Sequence, residues 1–139
     1  MSELRMSVST DYLVHPGQTM TVLSDVADER ARQDRKWGEQ NHPNGTGDDV
    51  ALLHGRPLPK PHAHVAVTMG TLAYLARDVT DQAANLGTVT WADILLEEVA
   101  EGLAEADPTR LRAELIQVAA VAVAWVEKID CDRSRRADA

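Results

Sequence analysis

The stretch that decides the fold is residues 90–129, TWADILLEEVAEGLAEADPTRLRAELIQVAAVAVAWVEKI. Its first residue, Thr90, is a good helix N-cap, and Asp93 three positions later completes a variant of the capping box. Apolar residues then recur at helical spacing. Asp107-Pro108 ends this helix and begins the next, because Asp caps helices well and Pro is tolerated at the first helical position. So short a connection predicts two antiparallel neighbouring helices.

Polar side chains that can bind a metal recur on both helices at a spacing of three. Glu98 and Glu101 project from one side of the first helix, and Glu114 and Gln117 from one side of the second. From Leu115 to Val126 the second helix is apolar nearly all round, which is typical of a buried helix. A buried carboxylate is costly unless it is paired or binds a cation, and Mg²⁺ prefers oxygen ligands. The pattern therefore predicts a metal site for Mg²⁺ or Mn²⁺.

A simpler interpretation of the same acids stays open. Carboxylates at i and i+3 are ordinary on solvated helices, and Glu114 lies near a helix N-terminus, where the macrodipole favours an acid. Gln117 would then hydrogen-bond a neighbouring helix.

The joint spacing also resembles a known signature. Glu98-x-x-Glu101, twelve intervening residues and Glu114-x-x-Gln117 are similar to the E-x-x-E…E-x-x-D motif of the MazG-like, all-α nucleoside triphosphate pyrophosphohydrolases. The resemblance covers roughly the last third of the chain. It implies that the motif residues bind Mg²⁺ around a triphosphate, and that water attack yields a nucleoside monophosphate and pyrophosphate. Glu97, beside the ligands, is then the candidate catalytic base.

The departure from the signature is Gln117, which stands where the family usually has Asp. An amide oxygen brings no charge and binds Mg²⁺ more weakly. A second hypothesis is therefore a nucleotide-binding or interaction protein with the same fold and little or no turnover. A third is a purely structural helical bundle.

A polar segment that ends the first predicted helix is the candidate pocket for the base and the phosphates. Trp37 offers a stacking surface, His42 and Gln40 can hydrogen-bond a base edge, and Arg32 or Lys36 can reach a phosphate. The alternative is a solvated helix face with a packed Trp. The predicted substrate-binding residues are Arg32, Gln33, Lys36, Trp37, Gln40 and His42.

The remaining chain predicts an all-α fold, an antiparallel helical bundle of about four helices. We expect an N-terminal extension at 1–22, a single helical domain at 23–130 and a polar, frayed tail at 131–139. A Gly- and Pro-rich stretch at 44–61 predicts a long loop within the domain. Besides the acidic pair, one helix is expected from Ser24 or Asp25 to the residue before Gly38, and another from His62 or Ala63 to Ala84.

Composition narrows the function classes. The formal net charge of −8 argues against a nucleic-acid partner, but not against a nucleotide held through a cation. The single cysteine, Cys131, excludes an internal disulfide and fits a cytoplasmic protein, and no signal peptide is visible. The apolar run of the last helix is too short to span a membrane. Two helices and a third amphipathic one also leave too much of residues 118–126 uncovered in a monomer with so few aromatic residues, which predicts a homo-oligomer, most simply a dimer.

Overall fold

The computed structural model describes residues 16–51 and 67–139. These residues form four helices, α1 (Pro16–Trp37), α2 (Met69–Asn85), α3 (Trp91–Ala104) and α4 (Pro108–Ala137). In the described ranges the β-structure is limited to one isolated antiparallel bridge, between Ala51 and Thr68. The predicted all-α class with about four helices is confirmed.

The chain divides into two compact units. One unit is Asn41–Trp125, which contains α2, α3 and the first part of α4; the other joins the described residues up to Gln40 with Val126–Ala139. The predicted division into an extension at 1–22, one domain at 23–130 and a tail at 131–139 stays a prediction.

The unit at residues 41–125 is built on the pairing of α2 with α3. Its buried centre consists of Ala73, Ala76 and Ala100, with Leu72 and Ala104 packed against them. Small side chains allow two helix backbones to approach closely, so this alanine-rich contact brings the polar residues of α2 and α3 near one another. The stacked rings of Trp91 and Trp125, with centroids 6.4 Å apart, connect α3 to α4 in the same unit.

The other unit joins α1 to the C-terminal part of α4. The Gln18 side chain donates a hydrogen bond of 2.8 Å to the backbone oxygen of Glu127. The Thr19 hydroxyl donates to the Glu127 carboxylate, and Val22 is buried.

Three predicted helix boundaries are wrong. The first helix begins at Pro16 rather than at Ser24 or Asp25, because Pro fits the first turn of a helix, where its missing N–H is no loss. Helix α2 begins at Met69, after an extended Thr68 that caps it; positions 62–66 of the predicted helix lie outside the described residues. Helix α4 continues to Ala137, through the tail that was expected to fray.

Other boundaries match the sequence. Helix α1 ends before Gly38, whose φ of +67° is readily adopted by glycine. The loop predicted at 44–61 is irregular from Asn44 to Val50, and its part from 52 to 61 lies outside the described residues.

The apolar sequence of α4 predicts a buried helix, but most of α4 is not buried. Leu111 is its one buried residue within the described chain. Leu115 and Ile116 are each more than half exposed, and Val126 and Ile129 are also exposed. Across the described ranges, no large side chain is completely buried. The described residues therefore leave much of the apolar surface of α4 uncovered.

No helix within the described ranges has a stretch long and apolar enough to cross a membrane.

Candidate metal centre

Local sequence fixes the ends of the two helices that carry the acids. The Thr90 hydroxyl accepts a hydrogen bond from the Asp93 backbone N–H, and the Asp93 carboxylate accepts one from the Thr90 N–H, so the predicted capping box is present. The Asp107 carboxylate accepts a 2.9 Å hydrogen bond from the Arg110 N–H, as expected of an N-cap ahead of Pro108. Helices α3 and α4 are therefore separated by three residues.

Three of the four predicted metal ligands meet. Glu98 and Glu101 on α3 and Glu114 on α4 each offer a carboxylate oxygen, and these oxygens all lie within 4.8 Å of one another. All three residues are partly buried. Like charges this close repel one another, so the cluster is unfavourable while all three acids are ionised and no cation is bound.

Two carboxylate oxygens of these residues are buried without a partner among the described residues. Neither Oε2 of Glu98 nor Oε2 of Glu114 has a hydrogen-bond partner within the described residues. Burial raises the pKa of Glu98, and repulsion from Glu101 and then from Glu114 raises this pKa further. A divalent cation would supply what the oxygens lack, since it neutralises the charge and accepts hard oxygen ligands. The residues present therefore fit a cation such as Mg²⁺ or Mn²⁺.

The fourth predicted ligand, Gln117, is exposed. It lies on α4 three residues after Glu114, and its role as a ligand stays a prediction.

Glu97, the predicted base, lies beside the cluster without belonging to it. Burial raises the pKa of Glu97, and the negative charge of Glu101 contributes to the same shift, whereas Thr80 and Arg77 act in the opposite direction. A carboxylate with a raised pKa accepts a proton more readily than an ordinary one. This environment suits a general base, although the role itself stays a prediction.

An arginine of α2 bonds directly to the cluster. Arg77 donates from Nε at 3.1 Å and from a terminal guanidinium nitrogen at 2.7 Å, both to Oε1 of Glu101. The side chain of Arg77 is 60% exposed and that of Glu101 is 21% exposed. The ion pair thus has its carboxylate beneath and its guanidinium toward solvent.

A cavity of about 660 Å³ opens beside the cluster, inside the unit at residues 41–125. Glu101 and Glu114 line it together with residues of α2, of the α3–α4 connection and of the loop at 47–50. Backbone hydrogen bonds fix that loop, because Gly47 N–H donates to Leu103 O at 2.9 Å and Met69 N–H donates to Val50 O at 2.8 Å. The loop therefore forms one wall of the cavity.

The cavity includes polar residues that the sequence did not single out. Its charged and hydroxyl-bearing lining residues beyond the cluster are Asp48, Asp49, Tyr74, Arg77, Glu105 and Arg110. For Arg77 the sequence leaves open a phosphate contact or the exposed ion pair that is commoner for a surface arginine, and the structure has the ion pair. The two aspartates carry no spacing signal of their own, because backbone contacts of the loop bring them to the site. Arg110 is placed there by the start of α4 and by its ion pair with Glu105.

The predicted substrate-binding segment forms a second cavity, of about 470 Å³, in the other unit. Five of the six predicted residues line it, namely Arg32, Gln33, Lys36, Trp37 and Gln40. Trp37 is 61% exposed, and the Lys36 ammonium lies 4.6 Å from its ring centroid. Arg32 is paired with Glu29 at 2.7 Å. His42 is exposed and belongs to the unit at residues 41–125, outside this lining.

No family model matches the chain, no significant match is found among the curated proteins, and none is found among the solved structures.

Proposed function

We propose that the protein is a metal-dependent nucleoside triphosphate pyrophosphohydrolase of the MazG-like kind. The observation that carries the proposal is the meeting of Glu98, Glu101 and Glu114 within 4.8 Å. Two of their buried oxygens lack partners among the described residues, and this makes a bound cation more favourable than an empty cluster. The adjoining cavity gives room for a ligand.

The chemistry would divide between the cation and the chain. Mg²⁺ or Mn²⁺ would neutralise phosphate charge and lower the pKa of a bound water. Glu98, Glu101 and Glu114 would hold it, with Gln117 as a neutral fourth ligand. Glu97 would accept a proton from the attacking water while the oxygen of that water bonds to the α-phosphorus. Pyrophosphate leaves with the electrons of the broken P–O bond, and the nucleoside monophosphate remains.

The α1 segment is proposed, by itself, as a place where a nucleobase can stack. Support comes from the exposed ring of Trp37 and from the clustering of Arg32, Lys36 and Gln40 around one cavity. Exposed aromatic rings stack on nucleobases, and guanidinium or ammonium groups bind phosphate.

The metal site is tested by thermal unfolding with and without millimolar Mg²⁺ or Mn²⁺. A cation that binds only the folded state raises the free energy of unfolding by mass action, by about 2.7 kcal/mol at a concentration 100 times its Kd, and so raises the melting temperature. Glu98→Gln and Glu114→Gln should abolish that rise, while Asp130→Asn, an exposed acid elsewhere on α4, should retain it. A wild-type melting temperature that ignores both metals rules out the site.

Turnover is tested separately by release of pyrophosphate from the common ribo- and deoxyribonucleoside triphosphates. Wild-type activity that Glu98→Gln eliminates, and that Glu97→Gln lowers while metal still binds, would support the enzyme and the assigned base. Absence of pyrophosphate release while a metal is bound would favour the second candidate, a binding protein with little or no turnover.

That second candidate is a nucleotide-binding or interaction protein with little or no turnover. The neutral, exposed Gln117 favours it, because three carboxylates hold a divalent cation less strongly than four.

We also propose that the protein acts as a homodimer in the cytoplasm. The exposed apolar side chains of α4, Leu115 and Ile116 among them, support a second copy as the cover, since a patch of this kind is unfavourable in water. The lone Cys131 supports a reducing compartment. Light scattering at micromolar concentration should give about twice the chain mass of 15.2 kDa; a value near one chain mass overturns the dimer.

A further inference from the structure

Two arginines from different helices line the same cavity as the acids. Arg77 comes from α2 and Arg110 from the first turn of α4. Arg77 is paired with Glu101 of α3 at 2.7 Å, and Arg110 with Glu105 of the α3–α4 connection at 3.2 Å. The arginine side chains are 60% and 72% exposed, whereas both carboxylates are about one-fifth exposed. The cavity therefore has two arginines at its open side, together with the exposed Asp48 and Asp49, and the paired carboxylates Glu101 and Glu105 beneath the arginines.

The two ion pairs differ in one respect. Glu101 belongs to the three-acid cluster, and Glu105 does not. A cation bound in the cluster and the guanidinium of Arg77 would therefore draw on the same carboxylate. Because both are positive and close together, each weakens the hold of the other on Glu101. The pair between Arg110 and Glu105 has no such competitor.

We propose that Arg77 exchanges partners: it binds Glu101 while the cluster holds no cation, and it binds phosphate oxygens of the substrate once a cation is present. Arg110, from α4, provides the second phosphate contact in the same cavity. Guanidinium groups bind phosphate through two parallel hydrogen bonds, which a carboxylate partner at a solvent-exposed site does not outweigh. The cavity of about 660 Å³ lies in the size range of small-molecule sites. The inference rests on the proposed function and assigns the polyphosphate part of the substrate to this cavity.

Partner exchange predicts opposite effects of one substitution on two ligands. Arg77→Gln removes the competitor of the cation, so Mn²⁺ should bind the nucleotide-free protein roughly threefold or more tightly. The same variant loses a charged contact to phosphate, so inorganic tripolyphosphate in the presence of Mg²⁺ should bind about tenfold more weakly. Titration calorimetry measures both affinities on the full chain.

Two further variants separate the roles. Arg110→Gln should weaken tripolyphosphate binding without tightening Mn²⁺ binding, because Glu105 lies outside the cluster. Arg112→Gln is the matched control, since Arg112 is an exposed arginine of the same helix outside the cavity lining; both affinities should stay at the wild-type values. If Arg77→Gln fails to fold, Arg77→Lys keeps the charge and loses the planar fork, and should still weaken tripolyphosphate binding.

The outcomes distinguish this inference from the function on which it rests. Unchanged or weaker Mn²⁺ binding by Arg77→Gln overturns the exchange, even where wild-type metal binding upholds the proposed site. Tripolyphosphate affinity that survives both arginine substitutions also overturns it. A wild-type protein that binds neither Mn²⁺ nor tripolyphosphate overturns the inference and the proposed function together.

Discussion

Gly102 on α3 faces Glu114 on α4 so closely that a Cβ atom at position 102 would lie 3.6 Å from the Cβ of Glu114. That distance is ordinary van der Waals contact, so the gap accommodates one methyl group and no more. The absence of a larger side chain on α3 is what lets Glu114 approach Glu98 and Glu101.

Gly102 variants should therefore separate packing from metal binding. Gly102→Ala fits the available space and removes a helical glycine, so it should stabilise the fold by about 0.5–1 kcal/mol and leave metal affinity intact. Gly102→Val adds two methyl groups against Glu114 and should weaken Mn²⁺ binding by widening the cluster. Urea unfolding and calorimetry provide the two measurements, and equal metal affinity in both variants would contradict this account of the glycine.

Metal-free stability should fall as the pH rises through the titration of Glu98. Burial and the neighbouring acids raise the pKa of this carboxyl, so the folded state holds its proton more tightly than the unfolded state does. The resulting stabilisation is complete below the unfolded pKa of about 4.3 and is lost as pH rises through the higher folded value. Glu97, whose pKa is also raised, acts in the same direction.

The measurement is urea unfolding at a series of pH values above that unfolded pKa, in chelator and then in Mg²⁺. In chelator, the stability of Glu98→Gln should fall less with rising pH than that of wild type. Mg²⁺ should reduce this fall in wild type but not in Glu98→Gln. Identical pH profiles for wild type and Glu98→Gln would contradict a raised pKa for this carboxyl in the folded protein.

The loop wall of the cavity depends on a close approach at Gly70. A Cβ there would lie 3.0 Å from the backbone oxygen and from a carboxylate oxygen of Asp48. Gly70→Ala should therefore displace the loop and cost about 1–3 kcal/mol of stability. Gly17→Ala is the control, because a Cβ at Gly17 meets nothing within 4 Å in the described structure. Equal stability of the two variants by urea unfolding would contradict the predicted clash.

The capping box of α3 provides a stability test that does not involve the metal. Thr90→Ala removes the hydroxyl that accepts from Asp93 N–H and should cost about 1 kcal/mol, while Thr90→Ser, which retains a hydroxyl, should cost less. Chemical unfolding of the two variants in chelator measures the difference. A Thr90→Ala variant as stable as wild type would mean that another group caps the helix.

The sequence predicted those parts of the fold that rest on local chemistry. Thr90 with Asp93 and Asp107 with Pro108 define helix ends by contacts within a few residues, and both ends are where the pattern placed them. The start of α2 is different, because its local cap, Thr68, is joined by the pairing of Met69 N–H with Val50 O across the chain. No local pattern contains that contact.

The end of α4 shows a second limit. The polar tail was expected to fray, yet α4 runs through it with Lys128 and Asp132 paired at 2.6 Å one turn apart. Arg135 and Arg136 lie in the last turn, where the macrodipole favours positive charge. Polarity alone was a poor guide, since side-chain pairs and end charges also support a helix.

In the candidate site, too, the residues on local patterns were predicted and those that depend on tertiary contacts were not. The spacing of Glu98, Glu101 and Glu114 followed from the helical period, and these three residues do meet. Arg110 was missed, because its place in the cavity depends on how α4 starts beside α3 and on the contact with Glu105. The signal that marks Arg110 in the sequence is its position within one turn of the N-cap Asp107, close to the acidic residues of both helices.

The last prediction concerns Gln117 and separates an enzyme from a binding protein. A divalent cation in a triphosphate site needs enough negative charge to be held before substrate arrives, and Gln117→Asp raises the number of carboxylates from three to four. The shorter acid presents an oxygen to the same region of α4, so metal affinity should rise. If the chain is an enzyme adapted to a neutral ligand, pyrophosphate release should change only modestly. If it is a binder without turnover, Gln117→Asp should create or sharply increase release.

The assay compares wild type and variant across the common nucleoside triphosphates with Mg²⁺ and Mn²⁺, with Gln117→Glu as a control for side-chain length. Absence of release from both proteins, together with absence of nucleotide binding by calorimetry, would eliminate both functions and leave a structural helical protein.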